Sequence, residues 1–555
     1  MKQINGLKII MANVIDIATR SALASIASPT SGRVFYLTES PREGFFVCIA
    51  GSIPVSDPLQ GLYVASNTSG FYYARIREDR EGRPEWFGAR VNDPTFDCWA
   101  AISASFALCQ TTILKPLDYY IRSTLNFDRS SCCFYGAKGS GRDVGVGVPT
   151  RMGTPGGSRV ILTGPSAAAA TVFQFGKTTS GTGDDASITR NSYVRDILFA
   201  RDCGSVAPQP SPNSDPINCV KGVIMSYMNA CGMENVSSYD SPVGFHYFGV
   251  VLSYARDCVA SRTTPATSPI NDFWVGHLLG NYQINYYIAS NASIYLERPI
   301  CYDENAVFDL SIGIRVFGYI ADTFINDAEV GRVNIGIEVD GRNSSGNTIP
   351  LASGGGAHQD VRISNAVVDA VGITGIQIRN LNRSGEVTLI EPYVALAGGG
   401  SYGINMFDAE GKTRIAGGRI LGGASTGIQA VNMTSLGIEG TYIREVANPV
   451  VLNNVGMSSI TPVVTNHDVQ SNQAVDLINC YRNRVAPQVT GSSGKIATGI
   501  ALNSACVVNE IDPSQVNPGA FAVVDPAYKV RFNGSDARSA PAFGANGNVL
   551  VGVTG

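Results

Sequence analysis

The sequence is poor in charged residues, and it lacks long apolar runs. Only 15% of its 555 residues are charged, whereas an average soluble domain has roughly 25%. The 41 basic residues form no Lys/Arg block, which argues against a nucleic-acid partner. No apolar run reaches the roughly 18 residues of a transmembrane helix, so we expect no membrane span.

The cysteines and histidines are too dispersed for a metal centre. None of the 12 cysteines has the CxxC spacing of a zinc site, and no nucleotide-binding fingerprint occurs. We therefore expect no cofactor and no metal. The segment from Met1 to Ser28 has only a short apolar stretch, Ile9 to Ala12, which is too short for a signal peptide. We therefore expect the protein to be made and assembled in a cytoplasm.

What the sequence does contain is glycine, at 61 residues, together with many Val, Ile, Thr, Ser and Asn residues. This composition favours β-structure over helices. A chain of 555 residues is also longer than one ordinary globular core organises. Either the chain divides into domains or its core grows along one axis, as in a repeat protein.

A four-residue pattern recurs: a small residue, an apolar residue, a free position and usually a second apolar residue. Weaker copies begin at Ser293, Pro449 and Ala474. Most neighbouring copies lie 22 to 28 residues apart, which is typical of one coil of a parallel β-helix and too short for a propeller blade. The clear copies begin at Gly222, Gly244, Gly313, Gly336, Gly375, Gly403, Gly427 and Gly499.

Alternation along a strand predicts where these side chains point. The two apolar positions should face inward, and the free position should face outward. Coils stack about 4.8 Å apart, so outward residues should form a column. Such a column is either ordinary solvent-exposed surface or a surface that binds an extended polymer. Its predicted members are Ile224, His246, Tyr295, Arg315, Glu338, Gln377, Asn405 and Gln429.

The chain divides into four predicted segments. Residues 1–30 hold a short helix over residues 13–27, with Asn13 as N-cap and Ser28-Pro29 as its end. Residues 31–83 form a small β module, residues 84–533 the β-helix, and residues 534–555 a loose tail or cap. A further helix from Asp97 to Cys109 should close the first coil.

The chain resembles phage tailspike depolymerases that have a right-handed, pectate-lyase-like parallel β-helix. Three stretches carry this resemblance: residues 36–47, residues 57–64 and the motif Trp86-Phe87-Gly88-Ala89. The Gly-Asp-Gly run that normally follows this motif is replaced here by residues 90–97. The resemblance implies a homotrimer in a phage virion, docked through its N-terminus onto another tail protein. It also implies recognition of a capsular or O-antigen polysaccharide at the bacterial outer surface.

Glycoside hydrolysis needs two carboxylates. Glu338 and Asp340 stand two apart on one predicted strand, with Cα atoms about 6.6 Å apart. This spacing permits either a retaining or an inverting mechanism. Arg315 lies one coil away and could tune a carboxylate or bind an acidic sugar. A second acidic set comprises Glu297, Asp303, Glu304, Asp309, Asp322, Asp327 and Glu329.

Aromatic residues are concentrated between residues 239 and 302, and sugar rings stack on aromatic faces. Trp274, Tyr282 and Tyr295 are therefore candidate substrate-binding residues, together with His246 and His277. A polysaccharide lyase on the same scaffold would instead need a base such as His246, His277 or Tyr282, with Arg315 beside the uronate. We expect a hydrolase, and leave the lyase and a non-catalytic adhesin as alternatives.

Overall fold

A computed structural model describes residues 3–4, 7–8, 14–77, 80–137, 157–164, 169–178, 188–201, 219–262, 273–281, 292–303, 310–318, 322–342, 360–396, 400–423, 425–517, 521 and 529–551. Tyr282, Glu304 and Asp309 lie outside these residues. The described residues form a short hairpin of Gln3–Ile4 and Leu7–Lys8, a five-stranded sheet and one long stack of strands.

The five-stranded sheet forms a small module ahead of the stack. Its strands, in spatial order, are Ile15–Ile17, Val34–Leu37, Gly44–Ala50, Phe71–Arg75 and Tyr63–Ala65. The prediction of one helix over residues 13–27 is wrong, because Ile15 and Ile17 form the edge strand. The helix is limited to Arg20–Ala24, where the Thr19 hydroxyl accepts a hydrogen bond from the Ala22 N–H at 3.1 Å.

The long stack is a parallel β-helix with three sheets, which confirms the predicted fold class. Sheet 1 carries the four-residue repeat and extends along the whole stack. Its strands are Leu125–Phe127, Phe173–Gly176, Lys221–Asn229, the first part of Val243–Arg256, Phe273–Asn281, Leu310–Gly318, Ile335–Asp340, Thr374–Arg379, Tyr402–Ala409, Thr426–Met433, Asn448–Val455, Ser471–Ile478, Ile496–Leu502 and Val530–Phe532.

Sheet 2 follows sheet 1 within each coil. It comprises Glu81–Gly82, Thr111–Ile113, Cys133–Tyr135, Tyr193–Arg195, Gly232–Glu234, the end of Val243–Arg256, Ala292–Glu297, Thr323–Asn326, Asp360–Ser364, Glu386–Ile390, Lys412–Ala416, the first parts of Leu436–Arg444 and Ser459–Asn466, Arg484–Val485, Glu510–Ile511 and Val549–Leu550.

Sheet 3 completes each coil. It comprises Asp118–Ile121, Ser158–Leu162, Ile197–Arg201, Ser237–Tyr239, Val259–Arg262, Ile300–Asp303, Glu329–Gly331, Val367–Val371, Tyr393–Leu396, Arg419–Leu421, the ends of Leu436–Arg444 and Ser459–Asn466, and Gln488–Gly491. Thr189–Arg190 pairs with the end of Lys221–Asn229. The corner from sheet 2 to sheet 3 holds left-handed residues such as Asp327 and Asn365, a conformation that Asn and Asp tolerate.

The inward positions of the repeat form the core, as predicted. Ile314, Val316, Ile337 and Val339 are all buried in one continuous apolar cluster that runs along the stack. The small residue lies at the corner where sheet 3 leads into sheet 1. It is required because the backbones of successive coils come very close there. A Cβ added to Gly375 would lie 2.6 Å from the Gly403 carbonyl oxygen and 2.3 Å from Val394.

One predicted copy of the repeat is wrong. The residues that continue sheet 1 after Gly244 begin at Gly276, because Phe245 pairs with His277 and His277 pairs with Ile314. Ser293 belongs to a strand of sheet 2 instead. The weaker copies at Pro449 and Ala474 are confirmed by the register of sheet 1, which pairs Ile428 with Val450 and Val450 with Val475.

Short helices close the two ends of the stack. Helix Trp99–Leu108, within the predicted range, covers the first coil after the turn Pro84–Phe87. At the other end, Ser535–Asp536, the turn Ala537–Ser539 and helix Pro541–Ala545 precede the last strand of sheet 2. Phe543 packs on Phe532 with ring centroids 5.6 Å apart, so the described part of this segment is folded against the last strand of sheet 1.

Candidate functional site

The predicted outward column exists on sheet 1, with one wrong member. Strand register stacks Arg315, Glu338, Gln377, Asn405 and Gln429 on successive coils. Leu278 occupies the position between His246 and Arg315. Tyr295 lies on sheet 2 and not in this column, because the sequence alone gave no register for the irregular coil that contains it.

Side chains around Glu338 and Asp340 form a buried ion cluster. Arg315 contacts Glu338 at 2.8 Å and Asp340 at 3.3 Å. Arg379 contacts the same two carboxylates at 2.6 and 3.0 Å. Arg342 contacts Asp340 at 2.7 Å, and the Gln377 amide donates a hydrogen bond to Glu338 at 3.1 Å. The two carboxylates are 1% and 3% exposed, so the predicted outward position is not a solvent-exposed one here.

The electrostatics of this cluster suit a fixed anion better than a proton donor. Burial alone would raise the pKa of Asp340. The hydrogen bond from Arg342 and the charges of Arg379 and Arg315 outweigh burial and hold the pKa below its usual value. A general acid needs the opposite shift. The predicted catalytic roles of Glu338, Asp340 and Arg315 remain predictions, and acid catalysis by Asp340 is disfavoured.

Three of the predicted substrate-binding residues are buried, which corrects their expected exposure. Trp274 is part of the core. His277 occupies an inward position and stacks on Phe245 with centroids 4.8 Å apart. His246 donates from Nε2 to the Gly280 carbonyl at 3.0 Å. Burial lowers the pKa of both histidines to about 3, so both are neutral near pH 7.

The outer face of sheet 2 carries an accessible aromatic pair. Tyr295 is 37% exposed and stacks on Phe324 with centroids 4.9 Å apart and planes 10° from parallel. Tyr254 precedes Tyr295 in the same column. Gly232 leaves room for the Tyr254 ring, since a Cβ there would lie 2.4 Å from it. Among the described candidates, Tyr295 therefore has the exposure that a sugar contact requires.

Three carboxylates stand beside this aromatic pair on sheet 2. Asp360 pairs in register with Glu386, and Asp322 immediately precedes the residue that pairs with Val361. Asp360 is two residues before Arg362 on one strand, so these two side chains face the same side of the sheet. Asp322 lies just before its strand in the left-handed conformation, and its charge acts on Asp360. Burial, and then the charges of Asp322 and Glu386, raise the pKa of the Asp360 carboxyl.

Sequence reasoning included Asp322 in its second acidic set but missed Asp360 and Glu386. The sequence does contain a pattern that could have indicated their stacking. Each acid directly precedes the first inward residue of a sheet 2 strand, and these inward residues are Thr323, Val361 and Val387. Other members of that set have structural partners. Glu297 pairs with Arg256 at 2.5 Å and the buried Asp303 pairs with Arg262 at 2.5 Å.

Within the described ranges, no group of three His, Cys, Asp or Glu side chains could hold a metal ion. The same residues include no helix that is long and apolar enough to cross a membrane.

Comparison with known proteins establishes the fold. No protein-family profile and no curated protein matches the sequence. The chain has the β-helix fold of phage tailspike proteins. It is similar to the tailspike protein of E. coli bacteriophage HK620, solved as a mutant in complex with a pentasaccharide, with a TM-score of 0.59 and 10% identity over 89% of this chain and 85% of that chain. It is also similar to tailspike protein 3 of bacteriophage CBA120, with a TM-score of 0.51 and 12% identity over 94% and 76%.

Proposed function

We propose that this protein is a phage tail spike that binds a bacterial surface polysaccharide, capsule or O-antigen, and cleaves it by glycoside hydrolysis. The tailspike fold supports the first part, since one protein of that fold was solved with a bound pentasaccharide. The observation that supports cleavage is the raised pKa of Asp360, which is caused by burial and by the charges of Asp322 and Glu386.

In this proposal Asp360 is the general acid. A raised pKa is the direction of shift that a general acid needs, because it favours the protonated carboxyl that donates to the glycosidic oxygen of the leaving sugar. Asp322 or Glu386 is the second carboxylate, on a neighbouring coil about 4.8 Å away. This is the spacing of the strand backbones, and carboxyl groups on neighbouring strands can approach the roughly 5 to 5.5 Å of retaining glycosidases, in which the second carboxylate is the nucleophile. We therefore propose retention of the anomeric configuration.

The aromatic pair provides the adjoining sugar-binding position. The exposed edge of Tyr295 and its hydroxyl lie in the next column from Asp322. Phe324 fixes the tyrosine ring by stacking, so little side-chain freedom is lost when a sugar binds.

The central experiment measures new reducing ends from a panel of purified capsular and O-antigen polysaccharides. Asp360→Asn should slow cleavage by about 10²- to 10⁴-fold, the usual contribution of general acid catalysis. Glu410→Gln is the matched control, because Glu410 is exposed and paired only at the surface with Arg383. A fully active Asp360→Asn variant would contradict the assignment.

The same assay tests the residues proposed from the sequence. Glu338→Gln is nearly isosteric and should retain activity if Glu338, Asp340 and Arg315 have a binding role. A loss comparable with that of Asp360→Asn would move the catalytic centre to sheet 1. Products with an unsaturated sugar, detected by ultraviolet absorbance, would instead indicate a lyase, and binding without products an adhesin.

We further propose that the spike is a homotrimer in the virion and attaches to a phage tail protein through residues 1–30. Light scattering coupled to gel filtration should give three times the chain mass. A variant lacking residues 1–13, which precede the edge strand Ile15–Ile17 of the small module, should remain trimeric and bind glycan, but should fail to join the tail. A monomer that is fully active would contradict the trimer proposal.

A further inference from the structure

Tyrosine side chains project from the outer face of sheet 2 in one column. On successive coils the column contains Tyr193, Gly232, Tyr254 and Tyr295. Tyr193 and Tyr295 are 38% and 37% exposed, and Tyr254 is half-buried. The column is therefore an accessible aromatic surface, and the direction in which each ring leans decides what can bind to it.

Tyr254 leans towards the N-terminal coils. A Cβ on Gly232, one coil earlier, would lie 2.4 to 2.7 Å from the end of the Tyr254 side chain, so this side chain covers the glycine. Burial raises the pKa of the Tyr254 hydroxyl, and the charges of Glu234 and Tyr193, on the two preceding coils, raise it further. The Tyr254 hydroxyl therefore points away from the coil of Tyr295.

Tyr295 is held from the opposite side. Its ring stacks on Phe324, one coil later, with ring centroids 4.9 Å apart. Arg362, on the coil after that, lies over the Phe324 ring at 5.8 Å and closes the stack. These groups cover one face of Tyr295. The opposite face is turned towards Tyr254, which leans away from it.

The space between the Tyr254 and Tyr295 rings, here called the tyrosine slot, is bordered by an ion pair. Arg256 and Glu297 stand two residues further along the same two strands, so they face the same side of the sheet. They contact each other at 2.5 Å and are 39% and 33% exposed. The Arg256 guanidinium also lies over the Tyr254 ring at 5.3 Å, which fixes its position. The slot thus combines an aromatic face with hydrogen-bond donors and acceptors.

The charges at the slot favour an uncharged occupant. The hydrogen bond to Glu297, and then the charges of Glu297 and Glu234, raise the pKa of the Arg256 guanidinium. Glu234 and Glu297 stand on either side of Arg256 in the register of sheet 2, so they would repel an anionic group. A sugar hydroxyl both donates and accepts, so it can use both members of the ion pair. The C–H face of a sugar ring suits the face of Tyr295.

We propose that the tyrosine slot binds one uncharged pyranose of the polysaccharide, which stacks on Tyr295 and hydrogen-bonds to Arg256 and Glu297. The inference rests on the proposed function and deepens it, because it names the kind of sugar that occupies the position beside the acidic column. The two tyrosine rings are already held apart, so little side-chain freedom is lost on binding. The slot serves recognition, and bond cleavage is left to Asp360 and its neighbours.

The first test measures saturation-transfer nuclear magnetic resonance with the methyl glycosides of glucose, galactose, mannose and N-acetylglucosamine. At least one of them should receive saturation, strongest at the ring C–H protons that lie against Tyr295. Tyr295→Ala should weaken its binding by about 10-fold. Phe45→Ala is the matched control, because Phe45 in the small module is 38% exposed and packs on Tyr36 with centroids 4.9 Å apart.

Three results of this test would overturn the inference. One is the absence of saturation from all four glycosides, and another is a Tyr295→Ala variant that binds them as the wild type does. The third concerns charge: sodium glucuronate should bind more weakly than the preferred glycoside, and equal binding would contradict an uncharged occupant.

The second test closes the slot without changing any residue that touches the sugar. Gly232→Ala should push the Tyr254 ring towards Tyr295 and weaken glycoside binding by at least about 10-fold, since the new methyl group overlaps the ring. Combining Gly232→Ala with Tyr254→Ala removes the overlap and should restore binding. Unchanged binding by Gly232→Ala would overturn the inference. A double variant that also fails to bind would do so too, because the loss would then come from damage to the strand.

The polysaccharide panel separates this inference from the proposed function. A wild type that cleaves one polymer, with Tyr295→Ala and Gly232→Ala equally active, would contradict the slot but leave the polysaccharide-cleaving spike intact. Failure of the wild type to bind any polymer of the panel would contradict the proposed function, and the inference with it.

Discussion

Two parts of the stack have the same backbone plan but differ in how constant the number of residues per coil is. They are the middle coils, residues 310–379, and the C-terminal coils, residues 402–517. In the middle coils Gly336 and Gly375 are 39 residues apart, whereas Gly403 and Gly427 are 24 apart. The irregular coils carry the buried ion cluster and the acidic column. The regular ones carry amides at the same corner of successive coils.

Those amides form hydrogen-bonded ladders. Asn454 donates to Asn432 at 3.0 Å and Asn432 donates to Asp408 at 2.9 Å, all three in the left-handed conformation. A buried ladder joins Asn509 to Asn548 at 2.9 Å. Amide side chains that repeat in step link successive coils, whereas the charged groups of the middle coils differ from coil to coil.

The strongest test of this contrast compares a buried and an exposed carboxylate. Asp340→Asn leaves three guanidinium groups around one carboxylate and should cost about 3 to 5 kcal/mol of unfolding free energy. Glu439→Gln, in the exposed pair with Arg414, should cost less than about 1 kcal/mol. Denaturant titration measures both, and equal losses would contradict a buried cluster.

The second-largest loss of stability is expected when a side chain is added to a glycine at the corner where successive coils meet. Gly375→Ala should cost up to about 3 kcal/mol, since the new methyl group overlaps the Gly403 carbonyl and Val394. Gly437→Ala is the control, because its nearest neighbour would be 3.5 Å away. Thermal unfolding of the two variants compares them directly, and similar unfolding temperatures would argue against the tight corner.

The free energy of unfolding that is lost on removing an amide from these ladders should depend on how buried the amide is. Asn509→Ala removes a buried amide whose oxygen accepts from Asn483 at 3.1 Å and whose nitrogen donates to the Cys480 carbonyl at 3.0 Å. It should cost about 2 kcal/mol, because the partners lose their hydrogen bonds. Asn432→Gly, at the exposed ladder, should cost under about 1 kcal/mol, because glycine also tolerates the left-handed conformation of this position. A reversed order in denaturant titrations would contradict this account.

The smallest expected effect, measured between pH 7 and pH 5.5, is a pH dependence that originates in two buried histidines ahead of the middle coils. His246 and His277 have pKa values of about 3 when folded, because burial disfavours the charged form. Below about pH 6.5 the unfolded chain binds protons at these residues and the folded chain does not. Stability should therefore fall as pH drops from 6.5 towards 3, by up to about 1.4 kcal/mol per pH unit for each histidine.

His246→Gln tests this directly, since it removes one titrating group. The difference in unfolding free energy between pH 7 and pH 5.5 should be smaller in the variant than in the wild type. An identical pH dependence would show that folding leaves the pKa of His246 unchanged, which would contradict this account.

The coil repeat was predictable because each copy is determined by the side chains of four consecutive residues. A Gly followed by two inward apolar residues recurs wherever strands stack, and Ile376 and Ile378 are buried as expected. The copy at Gly276 was missed because His277 occupies an inward position that apolar residues usually fill. The short strand at Ile15 was missed because a parallel partner, Phe35, decides its conformation.

Burial of the outward column was not predictable from alternation. Alternation fixes which face a side chain occupies, but its exposure depends on what packs over that face. Arg315 and Gln429 stand in one column, yet the first is fully buried and the second only half-buried. The acidic column was hidden for a related reason. Asp322, Asp360 and Glu386 lie 38 and 26 residues apart, which obscures their register.

The close approach of successive coils at Gly313, Gly336, Gly375, Gly403 and Gly427 also has a consequence for how the sequence can change over time. Substitutions at this corner affect two coils at once, whereas insertions between sheets leave the corner unchanged. A saturation scan of residues 310–430 should therefore show sharp intolerance at these glycines with wide tolerance between them. Diversity would accumulate in the segments between these glycines, while the glycine corner itself would vary little.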